Sequence, residues 1–342
     1  MGTRASRFLK IVAIVVAIDI VIAGAYVSTF IIMPGQSFQG IPAALPPGET
    51  GMAQRMRADV LAFASTEHNT VTAVRLDDAA TYIEGALASS GYPVRRQQYI
   101  ARGHHVRNLE VSLSNVETGT KPERVYIVGA HYDSARGTAG ANDNGSGTAA
   151  LMELARQLKG FVPPAGTELK LVFYTNEEPP FFQRDGMGSR YHAKDLRDRG
   201  QHVEAVLILE TLGYYSNQPG SQTYPLEFLK AIYPDAGNFV AVIGTLDSAA
   251  LVRKTTRALR AHAGIASEGL AAPAFVQGVT WSDHSSYVEQ GYKAVMITDT
   301  ARMRYPHYHT AQDTPDKLDY EQMARITSAL VPLVKSMALE KR

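Results

Sequence analysis

The stretch VYIVGAHYDS, residues 125–134, is a short apolar run that ends abruptly in polar residues. Four further apolar runs of this kind occupy residues 169–174, 205–209, 239–244 and 294–298. Such runs, without alternation of polar and apolar residues, are typical of strands covered by helices on both faces. The opening stretch therefore predicts a buried strand that places His131 and Asp133 at one edge of a sheet.

Helical periodicity separates these predicted strands. Amphipathic patterns are found at residues 52–65, 77–90, 147–158, 188–196, 248–263 and 320–339, and two more strand-like segments at 93–99 and 106–113. Alternating strands and helices are typical of an α/β fold, so we predict a three-layer αβα sandwich with a mostly parallel central sheet. In such sheets, ligands bind at the carboxyl ends of the strands.

The N-terminal residues predict one transmembrane helix ahead of this fold. Residues 11–33 are mostly apolar and long enough to cross a bilayer, and Arg4, Arg7 and Lys10 precede them. These positive charges predict a cytoplasmic N-terminus and a cell-membrane protein whose catalytic part lies on the extracytoplasmic side, periplasmic or extracellular. The alternative is a signal peptide cleaved near Ala23-Gly24-Ala25, which would give a secreted protein.

This interpretation divides the chain into four segments. They are a cytoplasmic N-terminus (1–10), a transmembrane signal anchor (11–33), a Pro- and Gly-rich linker (34–51) and one catalytic domain (52–342). The 34 basic and 33 acidic residues nearly balance, so no basic surface for nucleic acid is expected. Cysteine is absent, which excludes disulfides, thiolate metal ligands and a cysteine nucleophile.

Six residues with metal-binding side chains occur at strand ends or in the loops between the predicted elements. They are His131, Asp143, Glu177, Glu178, Glu210 and His309. Two imidazoles and four carboxylates suit zinc, which accepts mixed nitrogen and oxygen ligands. Asp133, two residues after His131, is placed to accept the second N–H of that imidazole and so fix its tautomer.

The adjacent pair Glu177-Glu178 predicts two different roles. Neighbouring residues of a strand point to opposite faces of the sheet, so both carboxylates can converge only beyond the strand's end. Pro179-Pro180 ends the strand at this point. One carboxylate can then bind a metal while its neighbour acts as a general base.

Taken together, these residues resemble the M28 family of zinc peptidases, the aminopeptidase and glutamate carboxypeptidase-like hydrolases. The resemblance is carried by HYDS at 131–134, NDNGSG at 142–147, NEE at 176–178, GMGS at 186–189, ETLGY at 210–214, SDH at 282–284 and HTAQDT at 309–314. His307 is a competing candidate for the second imidazole, but the His-Thr-x-x-Asp-Thr pattern matches only at His309. Many members of the family have Asp where Glu210 stands.

The resemblance implies two zinc ions and a general base. One ion would be bound by His131, Asp143 and Glu210. The other would be bound by Asp143, Glu178 and His309, so that Asp143 bridges the two. Glu177 would be the base, Asp133 is the second predicted catalytic residue, through its contact with His131, and a strained peptide bond is expected immediately after Asp143.

The function implied is a membrane-anchored, metal-dependent exopeptidase, with an aminopeptidase that acts on peptides as the leading hypothesis. A carboxypeptidase of the same family, a glutaminyl-cyclase-like acyltransferase with one zinc, and a non-enzymatic scaffold remain as alternatives. No G-x-S-x-G or H-E-x-x-H motif is present, so a serine hydrolase of the α/β-hydrolase type and a helix-borne zinc site are not expected. Arg302 and Arg304 precede the last metal-binding histidine and are candidates to meet a substrate carboxylate.

Overall fold

One sheet of eight strands organises the chain. The computed structural model describes the backbone of residues 2–340, and the side chains in that range except those of residues 2–7, 20, 22, 23 and 25. The strands are β1 (Arg95–Ala101), β2 (His104–Asn115), β3 (Arg124–His131), β4 (Thr167–Tyr174), β5 (Val203–Glu210), β6 (Phe239–Thr245), β7 (Ala266–Ala272) and β8 (Ala294–Thr298). Their order in the sheet is β1-β2-β4-β3-β5-β8-β6-β7.

The centre of the sheet is parallel. Strands β4, β3, β5 and β8 all run in one direction, and β6 and β7 are parallel to each other. The pairs β1-β2, β2-β4 and β8-β6 are antiparallel. The prediction of an α/β fold with a mostly parallel central sheet is confirmed.

Eight helices accompany the sheet in the described part of the chain. They are α1 (Gly2–Phe30), α2 (Pro47–Phe63), α3 (Ala73–Ser89), α4 (Gly147–Leu158), α5 (Gly188–Asp198), α6 (Ala249–His262), α7 (His284–Glu289) and α8 (Tyr320–Leu339). Helices α2, α4, α6 and α8 pack on one another, whereas α5 and α7 pack together.

The two faces of the sheet bury separate apolar clusters. Along β3, Tyr126 and Val128 belong to the larger cluster, while Val125 and Ile127 belong to the smaller one, which also contains side chains of α5 and α7. Both faces of the strand are therefore buried, which explains why its sequence is apolar without alternation. This arrangement is consistent with a three-layer αβα sandwich.

Strand β7, with the sequence ASEGLAA, was not predicted because it contains no apolar run. It lies at the edge of the sheet, where small residues let neighbouring segments approach closely. A Cβ on Gly269 would lie 2.4 Å from Thr256 Oγ1 and 2.9 Å from Met33 Cγ. The strand is thus specified by close packing against α6 and the segment after α1, which single-sequence periodicity does not report.

The segment that follows α1 is fixed to the rest of the molecule by two arginines of α6. Arg253 Nη1 donates hydrogen bonds to the carbonyl oxygens of Ser28 (2.8 Å) and Ile32 (2.6 Å). Arg260 Nη1 donates to those of Met33 (2.9 Å) and Gly35 (2.8 Å). Ser28 lies in the last turn of α1, where carbonyls have no partner within the helix, and the other three acceptors lie just beyond the helix end.

No helix in the described part of the chain is both long and apolar enough to span a bilayer. The transmembrane helix predicted at residues 11–33 is therefore not supported by the structure. Residues 20, 22, 23 and 25 of that segment have side chains that lie outside the described residues. Helix α2 begins at Pro47, inside the segment 34–51 that was predicted as a linker.

We expect Gly129→Ala to destabilise the protein. A Cβ at this position of β3 would lie 2.4 Å from Cε2 and 2.6 Å from the hydroxyl oxygen of Tyr174. That ring is fully buried, and its hydroxyl lies 2.6 Å from the Tyr287 hydroxyl, so it has little freedom to move away. Overpacking of this kind costs about 1–3 kcal/mol, which urea unfolding would measure.

Gly85→Ala is the matched control. Gly85 lies inside α3 and has no atom within 4 Å of an added Cβ. The substitution should stabilise the protein by about 0.5–1 kcal/mol, because alanine favours the helix. If both variants were equally stable, Tyr174 would not be held as rigidly as the structure indicates.

Candidate metal centre

Three neighbouring parallel strands bring the predicted site residues to one edge of the sheet. Strand β3 ends at His131, β5 ends at Glu210, and β4 ends at Tyr174, shortly before Glu177 and Glu178. Asp143 lies in the loop that precedes α4, and His309 lies in the loop that precedes α8. All six predicted metal-binding side chains meet at this edge, as expected for the carboxyl ends of parallel strands.

The two imidazoles face opposite oxygens of Asp143. His131 Nε2 lies 3.4 Å from Asp143 Oδ1 and 3.3 Å from Glu210 Oε2. His309 Nε2 lies 2.9 Å from Asp143 Oδ2 and 3.1 Å from Glu178 Oε1. Donors held about 2.0–2.1 Å from a tetrahedral zinc ion are separated by roughly 3.3 Å, so these groups are spaced as zinc ligands are.

The structure holds two compact groups of potential metal ligands among the described residues. One consists of His131, Glu177 and Glu210, and the other of Asp143, Glu178 and His309. Within the first group, Glu177 Oε2 lies 3.8 Å from His131 Nε2, farther than the carboxylates of Asp143 and Glu210. Glu177 thus belongs to the first group, but its carboxylate is farther from His131 Nε2 than those of Asp143 and Glu210.

Two buried atoms of the site lie within ion-pair distance of their neighbours without forming a hydrogen bond within the described chain, which fits bound metal. They are His131 Nε2 and Glu178 Oε1. A buried polar atom without a partner costs free energy, and a coordinated cation would remove that cost. His307, the competing candidate for the second imidazole, belongs to neither ligand group and packs edge-on against the Tyr305 ring.

Asp133 organises the site mainly through the backbone of the Glu pair. Its Oδ1 accepts the N–H of Glu177 at 3.0 Å, and its Oδ2 accepts the N–H of Glu178 at 3.2 Å. The His131 Nδ1 atom lies 3.1 Å from the carbonyl oxygen of Asp133 and 3.5 Å from its Oδ1. The predicted contact between ring and carboxylate is thus the longer one, while the carboxylate orients both glutamates.

Several residues around Asp143 were not assigned a role from the sequence. Asp313 accepts the N–H groups of Asn142 (2.8 Å) and Asp143 (3.1 Å), and Ser282 donates its hydroxyl to Glu210 Oε2 at 2.7 Å. Both lie in quoted motifs, HTAQDT and SDH, but their contacts depend on tertiary structure. The peptide bond between Asp143 and Asn144 is cis.

Left-handed backbone conformations occur at the ends of the site strands. Asn176, immediately before Glu177, has a φ of 59°, and Thr211, immediately after Glu210, has a φ of 49°. His309 itself has a φ of 55°. Residues other than glycine seldom adopt this conformation, and where they do the surrounding structure must hold them there.

The electrostatics of the site favour a bound cation. Burial raises the pKa of Glu178 to about 8, with a further contribution from the charge of Asp143. Burial also raises the pKa of Glu177 well above its usual range. Burial alone would lower the pKa of His309, but its close contacts with the carboxylates of Asp143 and Glu178 raise it to about 10. Without metal the cluster retains protons, which a divalent cation would displace.

Two cavities meet at the site. The metal-binding side chains line a cleft of about 190 Å³. An adjoining cavity of about 110 Å³ is lined mostly by apolar side chains, including Leu229, Phe239, Ile243 and Val276. Four residues line both of them, namely Glu210, Trp281, Arg302 and Tyr308.

Comparison with known proteins gives a family and several relatives. Residues 113–334 match the profile of Peptidase family M28. The uncharacterized protein YfbL of Escherichia coli (strain K12) is 38% identical over 267 residues, which are 76% of this chain and 80% of YfbL. The resemblance inferred from the ordered motifs is confirmed.

Solved structures share the fold. BSAP, a zinc aminopeptidase from Bacillus subtilis, superposes with a TM-score of 0.52 and 23% identity over 70% of this chain and 52% of that chain. A glutaminyl cyclase from Fimbriiglobus ruber superposes with a TM-score of 0.58 and 19% identity over 87% of this chain and 97% of that chain. The same fold therefore occurs in proteins with two of the predicted activities.

We expect chelator-treated protein to lose stability as the pH rises from weakly acid to weakly alkaline. Glu178 has a pKa of about 8 in the folded chain against an ordinary value of 4.5, so the folded state binds the extra proton between these values. His309, raised from 6.5 to about 10, acts in the same direction at higher pH. Where the folded state binds more protons than the unfolded state, stability falls as pH increases.

Thermal unfolding with chelator, at about pH 5.5 and about pH 8.5, would measure this effect. Zinc should raise the midpoint more at the higher pH, because fewer protons then compete for the ligands. Glu178→Gln should weaken the pH dependence of the metal-free protein. A midpoint that increased with pH in the presence of chelator would contradict the prediction.

Proposed function

The chain belongs to peptidase family M28, and from this premise we propose that it is a zinc aminopeptidase that removes N-terminal residues from peptides. As a member of this family it is a metallopeptidase, and hence a hydrolase. The observation that carries the proposal is the placement of the two imidazoles on opposite oxygens of Asp143. This single carboxylate joins two ligand groups, as a site for two metal ions requires.

We assign His131, Asp143 and Glu210 to one zinc ion, and Asp143, Glu178 and His309 to the other. The donor set of imidazole and carboxylate suits zinc. The second set is one of the two compact groups of the structure, and the first is supported by the distances of His131 Nε2 to Asp143 (3.4 Å) and Glu210 (3.3 Å). Bound zinc would polarise the scissile carbonyl and lower the pKa of water. Ser282, through its hydrogen bond to Glu210, orients the carboxylate that the first ion would bind.

Glu177 is the proposed general base. Its backbone N–H donates a hydrogen bond to Asp133, which fixes the backbone without using the Glu177 carboxylate. The carboxylate would take a proton from the attacking water and return it to the nitrogen of the leaving amine. Its buried, acidic surroundings favour the protonated carboxyl that forms between these two transfers.

The adjoining apolar cavity is the proposed site for the side chain of the substrate's first residue. It opens onto the cleft at Glu210 and Trp281, and it is lined by aromatic and aliphatic groups such as Phe239 and Ile243. Its mostly apolar lining suits an aliphatic side chain better than a charged one. We therefore expect preference for an apolar first residue.

A single-zinc acyltransferase of the glutaminyl-cyclase type is the alternative activity. The structural likeness to the Fimbriiglobus ruber protein supports the shared fold. The placement of His131 and Glu210 favours the two-metal peptidase, because a single ion held by Asp143, Glu178 and His309 would leave these two ligands without a cation.

We also propose that the N-terminal segment locates the enzyme at the extracytoplasmic face of a membrane. The proposal rests on the apolar composition of residues 11–33 and the basic residues before them. Described side chains of α1, including those of Ile11, Ile14 and Val21, are exposed, and exposed apolar surface of this kind needs a partner. Residues 52–342 would form the catalytic domain.

We expect Glu177→Gln to reduce kcat by roughly a hundredfold to ten-thousandfold while leaving zinc content unchanged. The amide cannot accept the proton, yet it has nearly the same shape and its backbone contact to Asp133 is preserved. Hydrolysis of leucine anilide, with and without chelator, measures activity, and elemental analysis of the purified protein measures zinc.

Glu178→Gln is the matched comparison from the adjacent position. It should lower zinc content as well as activity, because Glu178 is assigned as a ligand. Loss of zinc in the Glu177 variant instead would show that the roles of the two glutamates are exchanged. One zinc per chain, with cyclisation of N-terminal glutamine and no peptide hydrolysis, would favour the acyltransferase.

Deletion of residues 1–27 should release the enzyme from membranes without loss of activity. This deletion keeps the stretch that Arg253 and Arg260 hold, so the catalytic part should fold as before. Fractionation of cells that express the full chain or the shortened chain, followed by the anilide assay, tests the expectation. Recovery of the full chain in the supernatant would contradict the anchor.

A further inference from the structure

We propose that Arg302 binds a substrate carboxylate next to the scissile bond, which makes dipeptides with a free C-terminus the preferred substrates. The inference rests on the proposed peptidase function and names the substrate class of the same site. It concerns a residue that none of the assigned metal-binding or catalytic roles involves.

Arg302 stands where the cleft and the apolar cavity meet. It lines both, together with Glu210, Trp281 and Tyr308. Among the described residues that line the cleft, it is the one lysine or arginine. Every acidic residue of that lining, namely Asp143, Glu177, Glu178 and Glu210, already has an assignment to metal or proton transfer. Arg302 is therefore the charged side chain of the cleft lining that remains to bind a substrate, and its positive charge suits a carboxylate.

The guanidinium group of Arg302 is held in place by an aromatic ring, and no carboxylate of the described residues pairs with its charge. It lies over the ring of Trp281, the one tryptophan of the chain, at 5.8 Å from the ring centroid. No carboxylate in the described part of the chain lies within ion-pair distance of it. Stacking on an aromatic face restricts a guanidinium while leaving its N–H groups free to bind a carboxylate in a bidentate manner.

Arg304, in the same loop, differs from Arg302 because its side chain is bound to groups of the protein itself. It is buried, and it donates to Gln222 Oε1 at 2.8 Å and to the carbonyl oxygen of Phe239 at 2.8 Å. Of the two arginines considered from the sequence, Arg304 thus has protein partners, whereas the more exposed Arg302 faces the cleft.

The backbone that carries Arg302 is held in an unusual conformation. Thr300 and Ala301 have φ values of 76° and 41°, both left-handed. The Thr300 hydroxyl lies 3.2 Å from Gln222 Oε1, and the Ala301 N–H donates to Asp299 Oδ1 at 2.8 Å. The same kind of conformation occurs beside Glu177 and Glu210 and at His309, so Arg302 follows the pattern of the other site residues.

The test compares leucyl-leucine with leucyl-leucine amide, which contain the same scissile bond and differ in the C-terminal charge. The enzyme should prefer the free carboxylate in kcat/KM by about tenfold or more, as expected for one charge-assisted contact. In Arg302→Gln this ratio should fall to near one, with the loss mainly in KM for the free dipeptide. Arg302→Lys should retain part of the preference, since it keeps the charge without the bidentate geometry.

Arg102→Gln is the matched control. Arg102 also stacks on an aromatic ring, that of Phe181 at 5.4 Å, but it does not line the cleft. This variant should keep both the activity and the preference of the parent enzyme.

A parent enzyme that cleaved the amide as well as the free dipeptide would overturn the inference, and so would an unchanged ratio in Arg302→Gln. Equal losses on both substrates, confined to kcat, would show a general electrostatic role instead and would also overturn it. Absence of chelator-sensitive hydrolysis of every substrate, the anilide included, would remove the proposed function itself and this inference with it.

Discussion

Mutual repulsion among buried carboxylates is the constraint on which the site depends. Asp143, Glu177, Glu178 and Glu210 converge where three parallel strands end, and all four are buried. Buried charges of one sign are tolerated only when they are protonated, paired or bound to a cation. The two imidazoles offset part of this charge, but two buried atoms of the cluster remain without a hydrogen-bond partner. The protein therefore stores free energy that a divalent cation can release.

The surrounding polar groups keep this cluster open to a metal instead of letting it collapse. Asp133 holds the backbone of the Glu pair, and Asp313 holds the backbone of the loop that carries Asp143. These are hydrogen bonds from N–H groups to carboxylates, so they fix positions without using the side chains that bind metal. Such outer contacts determine the orientation of metal ligands as strongly as the ligands' own rotamers do.

Much of this could be read from the sequence, for identifiable reasons. Strand β3 was predictable because burial on both faces makes it continuously apolar, and His131 was predictable because it follows that run directly. Strand β7 was not predictable in this way, because its small residues pack against α6 and against Met33, which lies far away in the chain. The support that Asp313 gives to Asp143 was likewise hidden, since 170 residues separate the two partners. The periodicity of apolar residues reports which side chains are buried. It does not report which distant residues contact one another, and those contacts are seen only in the folded structure.

The hydrogen bonds of Arg253 and Arg260 to the segment after α1 affect the distance that the cleft can move from α1. A flexible tether would let the cleft sweep a volume that grows with tether length, and substrate would be met at many distances from the attachment point. Here the carbonyl oxygens of Ser28, Ile32, Met33 and Gly35 accept hydrogen bonds from arginines of α6, so the segment after α1 is attached to the catalytic part. If a membrane holds α1, as proposed, this attachment would limit the distance between the membrane and the cleft. Substrates would then be selected partly by whether their ends can reach the cleft at that distance.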